Sequence, residues 1–355
     1  EATVLLFADG PFRAELMRRG IHVEVDAMRA LARVRKRSPL PSPAAVIDAA
    51  GIARRLATRS AAYDLIYANS QKAFVVSAMA GFLARRPVVW HLRDILGPPH
   101  FGSANVRAAV WFANRFAALV IANSRATADA FVAAGGHRGI VRVVHNGIDP
   151  APFDEVTDDA ARAVRATLGV APDVPVAIHV GRFHHWKGQQ VLMRALALEP
   201  RAHAWIVGAP LFGEEAFADE LRTQAAALGT RVQLLGFRDD IPSLIRAADV
   251  VVHSSVYPEP FGRVIVEGML ARRPVVASDA GGASEIVTSG DTGYLVPPDD
   301  PAALAAAIGY IIDHPDEARS VAARGSAHAR ANFGRDAMIA GVRDALSTLR
   351  SGRPR

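Results

Sequence analysis

The sequence predicts an α/β protein built from two domains, each a doubly wound parallel sheet. Three observations predict it. Short apolar, β-branched runs alternate with longer helical patterns along the whole chain, as strands do when crossover helices bury both their faces. The alternation is interrupted once, by an acidic and polar stretch over 153–175 that reads as a linker. The length of 355 residues, half of them hydrophobic, suits two domains that each bury a core. The expected division is an N-terminal domain over 1–165, a C-terminal domain over 166–330 and a terminal helical segment over 331–355.

The elements follow in order. Residues 3–8 form a first strand, which ends at the turn Asp9-Gly10-Pro11, and a short helix through Leu16 and Met17 closes at Gly20. The basic run Arg33, Arg35, Lys36 and Arg37 precedes a loop set by Pro39, Pro41 and Pro43. Such a run is a solvated face or allows peripheral contact with an anionic membrane. Strands are expected at 64–68, 87–92, 118–122 and 141–144, with helices between them, notably over 73–84 and 106–116. Beyond the linker the alternation resumes, with strands at 176–180, 204–207, 232–235, 249–253, 274–277 and 293–296. A last helix is expected near 335–349. In sheets of this kind ligands bind beyond the carboxyl ends of the strands. Asn69, Ser70, His91, Arg93, Asp94, Asn123, Ser124, Asn146 and Gly147 fall at such ends.

Composition narrows the chemistry. There is no Cys, which removes disulfides, thiolate catalysis and Cys-based zinc sites. No apolar run approaches the roughly 20 residues of a membrane span. The first strand starts almost at residue 1, so no signal peptide is expected and the expected location is cytoplasmic, with the basic run allowing contact on the inner face of a membrane. The net charge is +6, carried almost wholly by Arg. Aromatic residues are few and are not interleaved with the cations, so nucleic-acid binding is not expected.

The most informative stretch runs from 249 to 270. A buried strand ending Val252-His253-Ser254-Ser255 leads through the loop Glu259-Pro260-Phe261-Gly262 into a helix whose apolar face is Val264, Ile265, Val266, Met269 and Leu270. The amides of Phe261, Gly262, Arg263 and Val264 open that helix and favour an anion. Glu259 lies in the loop, and Glu267 stands roughly 8 Å further along the helix axis at 1.5 Å per residue. Acceptors on both sides of an anion-favouring helix end suit a sugar linked to phosphate. At an earlier strand–helix junction, Arg182 and Lys187 are two cations placed to neutralise a diphosphate. His184 and His185 between them are loop residues within reach of phosphate, and adjacent histidines are poor joint metal ligands. No Asp-x-Asp pair occurs to hold a divalent cation on a nucleotide, so no metal site is expected. His179 and His253 lie inside strand runs and read as structural.

Two glutamates separated by seven residues, with Pro-Phe-Gly after the first, resemble the donor-site signature of the retaining glycosyltransferases of family 4, the group 1 transferases that include bacterial mannosyltransferases and sucrose synthases. The resemblance covers most of the chain and is strongest from Ala122 to about Ile308. It implies the GT-B fold, two Rossmann-like domains facing a cleft, with the last helix crossing back onto the first domain. It implies a hexose-type sugar moved from a nucleotide-diphosphate donor, UDP- or GDP-linked, to a small-molecule, glycan or lipid-linked acceptor, with no cofactor and no metal. Residue by residue, it assigns Arg182 and Lys187 to the diphosphate, Glu259 to the sugar hydroxyls and Glu267 to the ribose. His91 is assigned to the sugar near its anomeric carbon, and the segment of Phe237 and Arg238 to the base. Arg93 and Asp94 would shape the acceptor pocket. In the family the first loop carries glycines that let the backbone approach the donor phosphate, commonly a pair where this chain has Gly10 alone, so Gly10 is either a donor contact or a plain strand–helix turn. Gly281-Gly282 permits a tight turn, either near the donor or structural alone. Two rivals share these features: a sugar-nucleotide epimerase of the same fold and a non-catalytic sugar-nucleotide-binding protein. A phosphorylase would need a cofactor lysine, and the lysines are Lys36, Lys72 and Lys187.

Overall fold

A computed structural model describes residues 2–34, 42–211 and 213–351. The chain divides into two compact units. One comprises Glu1–Asn123, Thr127–Val143 and Ser347–Arg355, the other Ser124–Ala126 and Val144–Leu346. Every strand pairing within a sheet is parallel. The alternating pattern requires this, because a parallel neighbour is reached only through a crossover.

In the first unit, β1 (Thr3–Leu6) pairs with β2 (His22–Val25), and β3 (Ile66–Ala68), β4 (Val88–Leu92), β5 (Ala117–Ala122) and β6 (Val141–Val143) form a four-stranded sheet in that order. The strand β2 escaped the sequence reading because His-Val-Glu-Val carries two polar side chains in four residues and makes no apolar run. The central strand β4 is buried throughout, and its Trp90 stacks on Phe74 with ring centroids 4.4 Å apart. The helix Pro43–Ser60 begins at the last proline of the Pro-rich stretch, whose Pro39 and Pro41 lie outside the described residues, and Ser42 Oγ accepts the amide of Ala45 at 3.2 Å as its cap. Arg33 ends a short 3-10 turn, whereas Arg35, Lys36 and Arg37 lie outside the described residues.

The second unit holds β7 (Val176–Val180), β8 (His203–Val207), β9 (Val232–Gly236), β10 (Val250–His253), β11 (Val275–Ser278) and β12 (Tyr294–Val296), ordered β12-β11-β10-β7-β8-β9. Successive side chains alternate between two cores. Val176, Ile178, Val251 and Val275 face one, and Ala177, Val250, Val252 and Val276 face the other. That is why these strands read as unbroken apolar runs.

The stretch 153–175 is not a linker. It forms the helices Ala151–Asp154 and Asp158–Thr167, and Ala161 and Val170 are buried in the first of those cores with Phe153 and Val164 against it. Asp154, Asp158 and Asp159 sit in the first helical turns, where the dipole favours them. Among the described residues no helix is long and apolar enough to cross a membrane.

Candidate active site

The strand order of the second unit reverses between β7 and β10. The chain runs outward from β7 through β8 and β9, then returns to lay β10 on the other side of β7. In a doubly wound sheet the usual ligand position is at such a reversal, beyond the carboxyl ends of the two strands.

The loop after β7 carries Arg182, a 3-10 turn over His185–Lys187 and Gly188, then the helix Gln189–Leu198. The loop after β10 carries Ser254, Ser255 and Glu259 and leads to the helix Arg263–Leu270. The two loops are tied together. Val256 donates its amide to Trp186 O at 2.9 Å, and Ser254 Oγ donates to Gly188 O at 2.7 Å. Gly188 has φ +75°, and a Cβ there would stand 1.8 Å from Ser254 O, so only glycine allows this approach.

At this switch point Lys187 Nζ donates to Glu259 Oε1 at 2.6 Å. The other carboxylate oxygen accepts from His253 Nε2 at 2.7 Å and Ser255 Oγ at 2.8 Å. Burial alone would raise the pKa of Glu259, but the charge of Lys187 and the bond from His253 outweigh it and hold the carboxyl well below its ordinary value. His253 was read as a structural strand residue; the fold instead aims it at Glu259, because it is the last residue of β10. Ser255 was missed for lack of any sequence signal.

Trp186 was also missed. Its ring lies 4.9 Å from Lys187 Nζ and 5.8 Å from the Arg182 guanidinium, so both cations stand over it. His179 Nε2, in the strand that leads into this loop, donates to Lys187 O at 3.0 Å and fixes that backbone.

Gly262 is the N-cap of the helix, and the first amide taken inside it is that of Ile265, by Gly262 O at 3.1 Å. The amides of Phe261, Gly262, Arg263 and Val264 thus occupy the positions that helix geometry leaves open to a ligand. The Phe261 side chain is buried against Phe333 and His145, which leaves only its backbone for the site. Glu267 follows on the same helix and accepts from Arg263 at 3.3 Å. Burial raises its pKa, with Arg263 opposing. The loop after β11 packs on the Glu259 backbone: Gly282 donates to Glu259 O at 2.8 Å, and at Gly281, φ +65°, a Cβ would lie 2.4 Å from that same oxygen.

The remaining second-unit candidates stand apart from the carboxylate cluster. Phe237 follows β9 and is 82% exposed, and Arg238 forms a two-pronged ion pair with Asp240 at 2.8 and 2.6 Å. His184, His185 and Glu214 bring three ligand atoms within 4.8 Å of one another, the trio among the described residues able to hold a metal ion. Sequence spacing gives the two histidines no third ligand, because Glu214 arrives from a separate loop. His184 Nδ1 accepts the Trp186 amide at 3.3 Å, so in the neutral ring Nε2 carries the proton and donates to Glu214 at 3.1 Å. As it stands His184 and Glu214 form a hydrogen-bonded tether, and a cation would have to displace the bond to Trp186.

In the first unit, His91 lies in β4 and is 2% exposed. Its Nδ1 is 2.7 Å from Tyr67 OH and 3.2 Å from an Arg93 guanidinium nitrogen. Arg can only donate, so Nδ1 accepts and the proton sits on Nε2. That Nε2–H is buried without a partner among the described residues. Burial and then Arg93 depress the pKa of His91 to about 3, which keeps the ring neutral. Arg93 is exposed and also reaches Asn69 Oδ1 at 3.4 Å, with Asp94 beside it half-buried. Gly10 caps the helix Pro11–Arg18 in extended backbone, with open space around it.

Residues 161–328 match the family described as glycosyl transferases group 1, and residues 3–152 match Glycosyltransferase Family 4. Among solved structures, Anabaena Alr3699/HepE in complex with UDP and glucose is 42% identical, with 98% of this chain and 92% of that chain covered and a TM-score of 0.89. The same protein in complex with UDP-glucose is also 42% identical, with 99% and 92% covered and a TM-score of 0.86. The D-inositol 3-phosphate glycosyltransferase of Streptomyces scabiei is 35% identical over 213 residues, 56% of this chain and 47% of that protein. The chain thus spans about half the length of the curated relatives it matches. The sucrose-phosphate synthase of Thermosynechococcus elongatus is 24% identical, with 99% and 96% covered and a TM-score of 0.77, and shares the fold. The chain belongs to glycosyltransferase family 4 and has its GT-B fold, two α/β units with parallel sheets.

Proposed function

We propose that this chain is a retaining glycosyltransferase that moves a hexose-type sugar from a nucleotide-diphosphate sugar to an acceptor hydroxyl without a divalent metal. The observation that carries the reading is the half-buried Lys187–Glu259 pair at the switch point, set beside the opening amides of the helix Arg263–Leu270. The carboxylate has four acceptor positions and the protein fills three of them. A diphosphate claims Lys187 and Arg182, which frees Glu259 Oε1 to accept from sugar hydroxyls while His253 and Ser255 keep it in place. Glu267 takes the ribose, and the segment of Phe237 and Arg238 lies along the base. UDP-glucose is the first donor to try, because the relative that is 42% identical is described with it.

In transfer, the bond from the anomeric carbon to the β-phosphate oxygen breaks with oxocarbenium character. The acceptor oxygen bonds to the same face of that carbon, and its proton passes to the leaving phosphate oxygen. Arg182, Lys187 and the helix amides take the charge that develops on the diphosphate. His91 acts in this step through its neutral Nε2–H, a donor ready for a ligand oxygen. Arg93 and Asp94 belong to the acceptor side.

The test is a binding panel of UDP-, GDP- and ADP-sugars by calorimetry, followed by transfer assays with and without EDTA. Binding of one sugar nucleotide with turnover unchanged in EDTA is the expected result. No sugar-nucleotide binding overturns the reading. Activity lost in EDTA and restored only by Mg²⁺ or Mn²⁺ overturns its metal-independent form and turns attention to the trio of His184, His185 and Glu214.

Calorimetry on two variants tests the split between the carboxylates. Glu259→Gln should bind the bare nucleoside diphosphate at least as well as wild type, since nothing then competes for Lys187, yet lose turnover. Glu267→Gln should weaken the bare nucleotide and the sugar nucleotide together. Equal weakening of the bare nucleotide in both variants would show that the carboxylates do not divide in this way.

A further inference from the structure

The first unit carries an apolar patch that the proposed transfer reaction does not use. It lies where the helices Gln71–Ala84 and Ser103–Phe116 end side by side. Trp111 is 59% exposed, Phe82 61% and Leu83 57%. They are one surface: the Phe82 and Phe116 rings lie 5.7 Å apart, and the Trp111 and Phe116 rings 5.8 Å apart. Contiguous exposed aromatic surface of this kind marks an interaction site.

Arginines frame it. Arg107, Trp111 and Arg115 are exposed at four-residue spacing on one helix face. Arg115 lies over the Phe116 ring at 5.2 Å, and Arg85 and Arg86 line the shallow groove beside Phe82, Leu83 and Phe116. Neither helix contains an Asp or Glu. Between Asp64 and Asp129 the one acidic residue is Asp94, against Lys72, Arg85, Arg86, Arg93, Arg107, Arg115 and Arg125. The partner must therefore be anionic and must accept protruding Trp, Phe and Leu side chains. A second copy of this chain would set arginines against arginines.

We propose that this face docks on an anionic phospholipid bilayer, the arginines at the phosphates and Trp111, Phe82 and Leu83 at the boundary with the acyl chains. Trp is favoured at that depth, and stable attachment takes both an apolar and a basic element. The assignment does not rest on the donor chemistry. It also places membrane contact on a built surface distinct from the basic run 33–37.

The experiment is flotation of the full chain with vesicles of phosphatidylcholine alone and of phosphatidylcholine mixed equally with phosphatidylglycerol. Binding only to the mixed vesicles, and release by high salt, are expected. Arg107→Gln and Arg115→Gln should each lower partitioning about five-fold, the equivalent of about 1 kcal/mol per charge at an anionic surface. Phe82→Ser combined with Trp111→Ser should abolish it. These side chains are exposed, so thermal unfolding should be unchanged and loss of binding will not reflect loss of fold.

Three results would overturn the proposal: no binding to the mixed vesicles, binding unaltered in the variants because another surface supplies it, or wild-type dimers in sedimentation that the serine variant turns into monomers.

Discussion

Glu259 is held by three donors from three positions in the chain, and each holds it differently. Lys187 supplies the charge, while His253 and Ser255 fix the oxygen that faces away from it. Because the folded pKa is depressed, the ionised carboxylate stabilises the fold above its ordinary value near 4.5, and that stability is lost as pH falls through the depressed one. Glu259→Gln should therefore cost stability at neutral pH, about 3 kcal/mol by urea denaturation, since it strands Lys187 beside a neutral amide. Adding Lys187→Met should recover much of the loss in the same measurement, and no recovery would mean that the pair is not the source. His253→Ala removes a bond to a charged group worth roughly 1.5–3 kcal/mol. If His253 positions Glu259, turnover should fall far more than affinity for the bare nucleotide, and His253→Gln, which can still donate, should restore part of it. Arg182→Ala and Lys187→Ala should lower turnover more strongly still, with one lost donor to a developing oxyanion costing roughly 2.7–4 kcal/mol.

At the scale of elements, legibility followed the physics of burial. Strands β7 to β12 showed in the sequence because helices cover both faces and force continuous apolar runs. The pair β1–β2 was half legible, since β2 mixes polar and apolar side chains and carries Glu24. The residues of the loop 259–264 were legible because Pro-Phe-Gly and the two glutamates are sequence neighbours. The clamp on Glu259 was not, because contact between residues 187 and 259 is a property of strand order. The same strand order explains the demand for glycine. Gly188→Ala should destabilise by about 3 kcal/mol, from left-handed backbone and the overlap with Ser254 O, read as a lowered urea midpoint. The helix Arg263–Leu270 makes the opposite prediction for its own carboxylate. Burial raises the folded pKa of Glu267, so the ionised form opposes folding increasingly as pH rises above its ordinary value near 4.5. Glu267→Gln should unfold at a higher temperature than wild type at pH 7.5 and nearly the same temperature at pH 4. A site that is stabilised by losing a charge has kept that charge against stability, as binding sites do.

For the whole molecule, the two units share a device: each buries a histidine in a central strand of its sheet, His91 in β4 and His179 in β7. Burial depresses both, His91 to about 3 and His179 to about 4. A histidine with a depressed folded pKa binds its proton first in the unfolded chain, so stability is whole above the ordinary value near 6.5 and drains away as pH falls below it. Both units should therefore lose stability on mild acidification, long before the depressed carboxylates such as Glu259 or Asp26 titrate. Between pH 7.5 and 5.5 each histidine contributes a loss of about 1.4 kcal/mol, one unit of proton binding in the unfolded chain. His91→Gln removes the titrating group from the first unit and His179→Gln from the second. Each variant should start less stable than wild type, because a buried hydrogen-bonded ring is replaced, yet lose about 1.4 kcal/mol less than wild type over that pH interval. Chemical denaturation at the two pH values gives the comparison directly. Equal losses in wild type and His91→Gln would mean that His91 is protonated in the folded chain, which would also remove the tautomer argument that puts its free proton on Nε2.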